Sequence, residues 1–241
     1  MARQFVLDVA LTEGSDFESY RAGANALAVE SLRALARGHG ERQVYLYGEA
    51  GTGKTHLLQA VCHEAAGQGR RAAYLPPGML CEAGSGSLEG LGGLDVVCLD
   101  GVGLLCGSPA GETALFNLIN EARAGGARLV LCDRRAPRAL SPGLADMASR
   151  LVWGPVFQVT PLGDADKREV LMDRARRRGF GLPGDVADYL LRTSARDLTS
   201  LLDALERLGQ ASLREHRRVT LPFAREVLKA GEDIPRVMPR S

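Results

Sequence analysis

The residues with the clearest chemical potential are the run Gly48, Glu49, Ala50, Gly51, Thr52, Gly53, Lys54 and Thr55, which matches G-x-x-x-x-G-K-[ST] in full. Between a strand and a helix, such a loop turns backbone N–H groups into a concave nest for phosphate oxygens and presents the positive end of the helix to them. The flanks meet that requirement, since the apolar run VYLY at 44–47 precedes the loop and a helical pattern follows it. Lys54 is expected to bridge the β- and γ-phosphates, and the Thr55 hydroxyl to ligate Mg²⁺. A magnesium-site acid should end a neighbouring buried strand, and Asp100 does so after Val96, Val97, Cys98 and Leu99. The next position, where a carboxylate would orient attacking water, is Gly101, which has no side chain to do it. Nucleotide binding with slow self-hydrolysis is the expectation.

The elements that must position these residues read as an α/β pattern with a mainly parallel sheet. VYLY at 44–47, DVVCLD at 95–100 and ARLVLC at 127–132 are short apolar runs separated by helical periodicity, as in strands covered on both faces. After FQVTPL at 157–162 strand signals cease, and amphipathic helices are predicted near 164–178, 184–193, 196–213 and 221–230. A domain boundary is placed at Pro161, and Pro183 and Pro222 fall at first turns of helices, where a missing N–H costs little. The Gly-rich stretch 82–94 is predicted to be a surface loop, and the tail from Gly231 to Ser241 to be poorly ordered.

Composition excludes several classes. Of 241 residues, 45% are hydrophobic and 24% charged, the balance of a globular chain, and a formal net charge of +1 supplies no global basic field. The cysteines (Cys62, Cys81, Cys98, Cys106, Cys132) are odd in number and contain no C-x-x-C pair, so free thiols in a reducing compartment are expected. The amino-terminal segment lacks the pattern of a signal peptide, and no segment is long enough to span a bilayer; a cytoplasmic location follows as the expectation.

Four further segments carry a family resemblance: LVLCDR at 129–134, MASRLVWG at 147–154, RRRGFGLPGDVADYLL at 176–191 and SARDLTSLLDALERL at 194–208. Together with the phosphate loop they resemble the AAA+ region of the bacterial replication initiator DnaA, and most nearly its short Hda branch, the regulatory inactivators of DnaA. The resemblance runs from Gln4 to about Lys229. It implies an AAA+ parallel-sheet domain over 13–161, a helical lid over 162–241 with a short flexible tail, and ADP or ATP as cofactor. By position, Asp133 resembles the sensor 1 residue near the γ-phosphate, although spacing alone equally allows a turn aspartate, and DRRAP has one residue more before proline than the family pattern. Arg150 in SRLVWG resembles the arginine finger offered in trans to a neighbour's ATP; from the residues alone it reads as a solvated arginine. Arg196 resembles sensor 2, with Arg192 a rival on the same face if one helix carries both. The segment 16–28 resembles the linker that passes the adenine, and the cluster Arg174, Arg176, Arg177 and Arg178 reads as a solvated helix face.

At the amino terminus, Gln4, Phe5, Val6, Leu7, Asp8 and Val9 resemble the Q-L-x-L-x-L-like peptide by which the family docks on the sliding clamp, the β subunit of DNA polymerase III. Residues 1–12 are therefore expected to be a flexible clamp-binding peptide, the alternative being an edge strand or frayed tail. The chain stops about a dozen residues past its last predicted helix, where an initiator would continue into a helix-turn-helix domain, so sequence-specific DNA binding is not expected. The function implied is stimulation of hydrolysis of DnaA-bound ATP, with DnaA and the clamp as partners and a homo-oligomer left open. An independent AAA+ ATPase, such as a helicase loader or a DnaA-like initiator module, and a small-molecule kinase are the competing readings.

Overall fold

The computed structural model describes residues 11, 14–82, 88–144, 146–193 and 197–232. The backbone divides into two compact units, one running to Pro161 and the other starting at Leu162.

In the first unit the strands β1 (Gln43–Tyr47), β2 (Ala72–Leu75), β3 (Val96–Asp100), β4 (Arg128–Asp133) and β5 (Val156–Gln158) form, among the described residues, one parallel five-stranded sheet in the order β2-β3-β4-β1-β5. The register pairs Tyr47 with Asp133 and Asp100 with Cys132, so the carboxyl ends of β1, β3 and β4 finish at one level. Helices α1 (Ala26–Ala36) and α2 (Lys54–Gly67) cover one face, where Leu32, Leu35, Leu57, Leu58 and Val61 pack with Val44, Leu46, Val96, Cys98, Val130 and Cys132. Along each strand the alternate residues Tyr45, Val97, Leu99, Leu129 and Leu131 point to the opposite face. There α4 (Pro109–Gly125) lays down Leu115, Leu118 and Ile119, and α5 (Met147–Leu151) adds Met147 and Leu151. Burial on both faces is why these strands read as unbroken apolar runs. Helix α4 is delimited by Ser108, whose hydroxyl accepts from Gly111 N, by Pro109 in its first turn, and by Gly126 in the left-handed conformation.

Three expectations are corrected in this unit. Strand β2 was not foreseen: AAYL is short, and Arg70 and Arg71 precede it directly. Part of the Gly-rich stretch is core, because Leu88 and Leu91 are buried and a tight turn at Leu91–Gly93 folds onto α4. The short helix α3 (Pro77–Glu82) reaches into the same stretch. The strand expected at 157–162 is shorter and shifted, β5 ending at Gln158, with one further bond from Val159 N to Tyr47 O at 2.7 Å.

The second unit consists of α6 (Asp164–Arg177), α7 (Gly184–Thr193), α8 (Leu198–Glu215) and α9 (Leu221–Glu232) around Leu171, Leu182, Val186, Leu190, Leu201, Leu205, Leu208 and Ala224. Asp197 caps α8 by accepting from Ser200 N (2.9 Å) and Ser200 Oγ (2.8 Å), and these bonds hold its carboxyl below the usual range. Arg192 lies in the last turn of α7. Gly231 and Glu232 belong to α9 rather than to the tail. Among the described residues no helix is long and apolar enough to cross a membrane.

Candidate functional site

The loop Gly48–Thr55 leaves β1 at its carboxyl end and leads into α2, whose first N–H groups receive no side-chain cap. Gly53 adopts a left-handed φ of +89°, and a Cβ there would sit 2.8 Å from Cε2 of Tyr20, so glycine is required by both backbone and space. Tyr20 lies beside the loop, its hydroxyl 3.4 Å from Thr52 O and its ring 5.4 Å from that of His56, and burial pushes its phenol up to about 12. The buried Asn25 secures this wall. Its Nδ2 donates to Thr160 O (3.0 Å) while its Oδ1 accepts from Thr160 N (2.9 Å). The segment 16–28 is thus placed against the phosphate loop.

Lys54 is 8% exposed, and its ammonium folds back onto the loop, donating to Gly48 O at 2.8 Å and Glu49 O at 2.7 Å. It also reaches Thr52 Oγ1 at 3.4 Å, and a buried ammonium that meets only neutral dipoles is poised to exchange them for phosphate oxygens. Thr55 Oγ1 donates to Asp100 Oδ2 at 2.6 Å. Two neighbours not singled out from sequence complete the carboxylate's surroundings: Tyr74 Oη donates to Oδ2 at 3.1 Å, and Cys132 Sγ to Oδ1 at 3.4 Å. Burial, with the Asp100 carboxylate beside it, drives the Tyr74 phenol well above its ordinary range, and burial does the same to the Cys132 thiol. Tyr74 was hidden because its strand was not foreseen.

This hydroxyl–carboxylate pair suits Mg²⁺ held jointly with nucleotide phosphates, a site needing few protein ligands. Among the described residues no group of three or more His, Cys, Asp or Glu forms a metal cluster of its own. Gly101 leaves β3 in the left-handed conformation (φ +91°), its N–H donating to Cys132 O at 2.7 Å.

Asp133 ends β4, and both its oxygens are engaged: Oδ2 accepts from Gly103 N (2.7 Å), and Oδ1 from Arg135 N (3.0 Å) with Arg135 Nε at 3.7 Å. It therefore ties the turn after β3 to the turn after β4. Arg150 lies on α5, its guanidinium donating to Asn120 Oδ1 and stacked 3.9 Å from the Phe116 ring centroid and 4.7 Å from that of Trp153. Arg123 covers the same indole at 4.2 Å. The loop before α5 is anchored by Glu112, which is 2% exposed and accepts from Gly107 N (2.7 Å), Gly143 N (2.9 Å) and Leu144 N (2.8 Å). No sequence signal marked Glu112, which sits among helix formers. In the second unit Arg176 and Arg177 pair with Asp173, and Arg178 with Glu206, so three of the four arginines of that cluster are ion-paired. Gln4, Phe5, Val6, Leu7, Asp8, Val9 and Arg196 lie outside the described residues.

Residues 6–136 match the family described as IstB-like ATP binding protein, and residues 164–228 match the family described as Hda, lid domain. Among solved structures the chain is similar to domain III of the Thermotoga maritima replication initiation protein DnaA, with a TM-score of 0.79 and 24% identity, covering 91% of this chain and 98% of that one. It is also similar to AMPPCP-bound DnaA from Aquifex aeolicus (TM-score 0.75, 22% identity, 93% of this chain and 71% of that one). The Thermotoga maritima RuvB Holliday junction branch migration motor shares the fold more distantly (TM-score 0.65, 17% identity, 85% and 66%).

Proposed function

The chain belongs to the IstB-like ATP binding protein family and, with its Hda lid, is a Hda/DnaA-like AAA+ protein, and from this premise we propose that it regulates replication initiation by stimulating hydrolysis of ATP bound to DnaA. In this reading the loop Gly48–Thr55 holds ADP or ATP by its backbone N–H groups, with Lys54 exchanging its carbonyl contacts for phosphate oxygens. Thr55 and Asp100 are the residues that would hold Mg²⁺, whose charge offsets that of the β- and γ-phosphates. Asp133 and Arg196 act as the sensors of bound nucleotide. Arg150 is the group offered to the partner's ATP, where a planar guanidinium matches two phosphoryl oxygens at once. Residues 4–9 supply the tether to the sliding clamp.

The observation that carries this reading is the conjunction of an intact phosphate cradle with Gly101. The residues for holding nucleotide are present, while the position that would orient water has no side chain. Such a chain uses its nucleotide to fix its own form, and the ATP turned over belongs to the partner. Hydrolysis of DnaA-bound ATP, measured with and without this protein and DNA-loaded clamp, tests the proposal. Stimulation that requires both supports it, and an unchanged rate rejects it. Steady turnover by the isolated protein near about 1 s⁻¹, the lower range of working enzymes, would instead favour an independent ATPase.

A further inference from the structure

The Asp100 carboxylate is held from three sides before any ligand arrives. It is 7% exposed, and it accepts from Thr55 Oγ1 (2.6 Å) and Tyr74 Oη (3.1 Å) on Oδ2 and from Cys132 Sγ (3.4 Å) on Oδ1. The donors come from the first turn of α2, from the outer strand β2 and from β4. Cys132 stands directly opposite Asp100 in the register, whereas Tyr74 stands opposite Cys98. The phenol therefore reaches past its own strand partner to meet the carboxylate at the end of β3. Its ring is 6% exposed and belongs to the apolar cluster beneath α1 and α2, which fixes where the hydroxyl can lie.

These donors are not equivalent. A carboxylate oxygen accepts about two hydrogen bonds, so Thr55 and Tyr74 together fill Oδ2, while the thiol on Oδ1 is a weak donor. Thr55 also has a second task, because its hydroxyl oxygen is the one that would turn a lone pair to Mg²⁺. Rotation of a carboxylate about its last torsion meets only a broad, shallow barrier. Held by Thr55 and a thiol alone, Asp100 could pivot as Thr55 engages the ion. Rotation away from Tyr74 breaks a hydrogen bond to a charged acceptor, and that bond is anchored in the core rather than in the loop. Neighbours of this kind orient carboxylates at metal sites and set metal affinity. We infer that Tyr74 is the positioning residue of the cation site: its hydroxyl fixes the Asp100 carboxylate, and the extent to which Mg²⁺ tightens nucleotide binding depends on it. The inference rests on the reading of Thr55 and Asp100 as the Mg²⁺ residues, and the experiment separates the two.

The test is calorimetry of the full chain with ADP and with ATP, each in Mg²⁺ and in EDTA. The ratio of the two affinities is the gain that Mg²⁺ supplies. Tyr74→Phe removes one oxygen, keeps the buried ring and leaves Asp100 with its other two donors. Its affinity in EDTA should match the wild type, while the Mg²⁺ gain should fall by about 10- to 100-fold. Asp100→Asn should abolish the gain. Equal weakening of Tyr74→Phe with and without Mg²⁺ overturns the inference, since a packing defect does not distinguish the two conditions. A Tyr74→Phe chain that fails to unfold cooperatively on heating overturns it too, by making the hydroxyl a structural group. A gain unchanged in Tyr74→Phe but lost in Asp100→Asn rejects Tyr74 and leaves the reading of Thr55 and Asp100 standing. A gain kept in Asp100→Asn, or absent from the wild type, removes that reading and the inference with it.

Discussion

Thr55 Oγ1 donates to Asp100 Oδ2 across 2.6 Å, joining the first turn of the helix after β1 to the end of β3, two strands away across β4. The sheet order makes this contact possible, because residues distant in the chain become neighbours only where parallel strands finish at one level. Asp100 also accepts from Tyr74 and Cys132, so its carboxylate is oriented before any ligand arrives.

Lys54→Ala is expected to abolish ADP and ATP binding while leaving the fold intact. The ammonium contacts two loop carbonyls and the Thr52 hydroxyl, and solvation of these by water or by a bound ion replaces what the side chain supplied. Calorimetry with both nucleotides checks the first expectation and thermal unfolding the second; unchanged affinity would reject Lys54 as the phosphate ligand.

Gly101→Glu restores an acid where many AAA+ ATPases carry one, yet it is not expected to create turnover. The residue has φ +91°, and a Cβ would lie 3.2 Å from Cδ1 of Leu104. A left-handed non-glycine residue costs roughly 1–2 kcal/mol, so the variant should be destabilised by about that amount. Chemical denaturation and a phosphate-release assay on the same sample decide the matter, and a stable, active variant would be contrary to this account.

Much of this arrangement is legible in the sequence because it rests on local pattern. VYLY, DVVCLD and ARLVLC are continuous apolar runs since both faces of β1, β3 and β4 are covered, and the cradle has fixed spacing. What escaped depends on three-dimensional neighbours. Tyr74 sits on a four-residue strand that periodicity does not reveal, and it matters only because β2 pairs with β3 beside Asp100. Leu88 and Leu91 are hidden among glycines, although burial decides their place. Glu112 resembles any surface acid of a helix until the chain returns at Gly143 and Leu144 to meet it.

Glu112 should make the stability of the first unit sensitive to acid. Its bond from Gly107 N, opposed by burial and reinforced by Gly143 N and Leu144 N, holds the carboxyl below its ordinary value of 4.5. A depressed folded-state pKa contributes stability that is fully present above about 4.5 and is lost as pH falls through the lower folded value. Glu112→Ala removes the acceptor from three N–H groups and is expected to cost roughly 2–4 kcal/mol. Denaturant melts from pH 7 to pH 3 should show the wild type approaching the variant at the acid end; parallel curves would refute the assignment.

Arg150 is where a finger and a structural residue make different predictions, and its surroundings sharpen the comparison. The guanidinium contributes to the fold through two aromatic stacks and a hydrogen bond to Asn120, so Arg150→Ala is expected to lose roughly 1–2 kcal/mol of stability in addition to any effect on DnaA. Loss of stability alone therefore does not separate the roles. Phe116→Leu and Asn120→Ala do, because each removes a support and keeps the guanidinium. If Arg150 acts on the partner's ATP, those variants should lose similar stability yet retain most stimulation, whereas Arg150→Ala should lose about 10³ to 10⁵ in stimulated rate. Arg150→Lys should rescue little, since lysine keeps the charge but not the planar fork. Trp153 is the single tryptophan of the chain, and its ring is 4.7 Å from the Arg150 guanidinium, so its fluorescence reports the stack directly. A finger that leaves its stack to reach the partner predicts a change in that fluorescence when ATP-bound DnaA is added to the wild type, and none in Arg150→Ala. Equal loss of stimulation in Phe116→Leu, Asn120→Ala and Arg150→Ala, with no fluorescence change on adding the partner, would make Arg150 a structural residue and remove the finger from the mechanism.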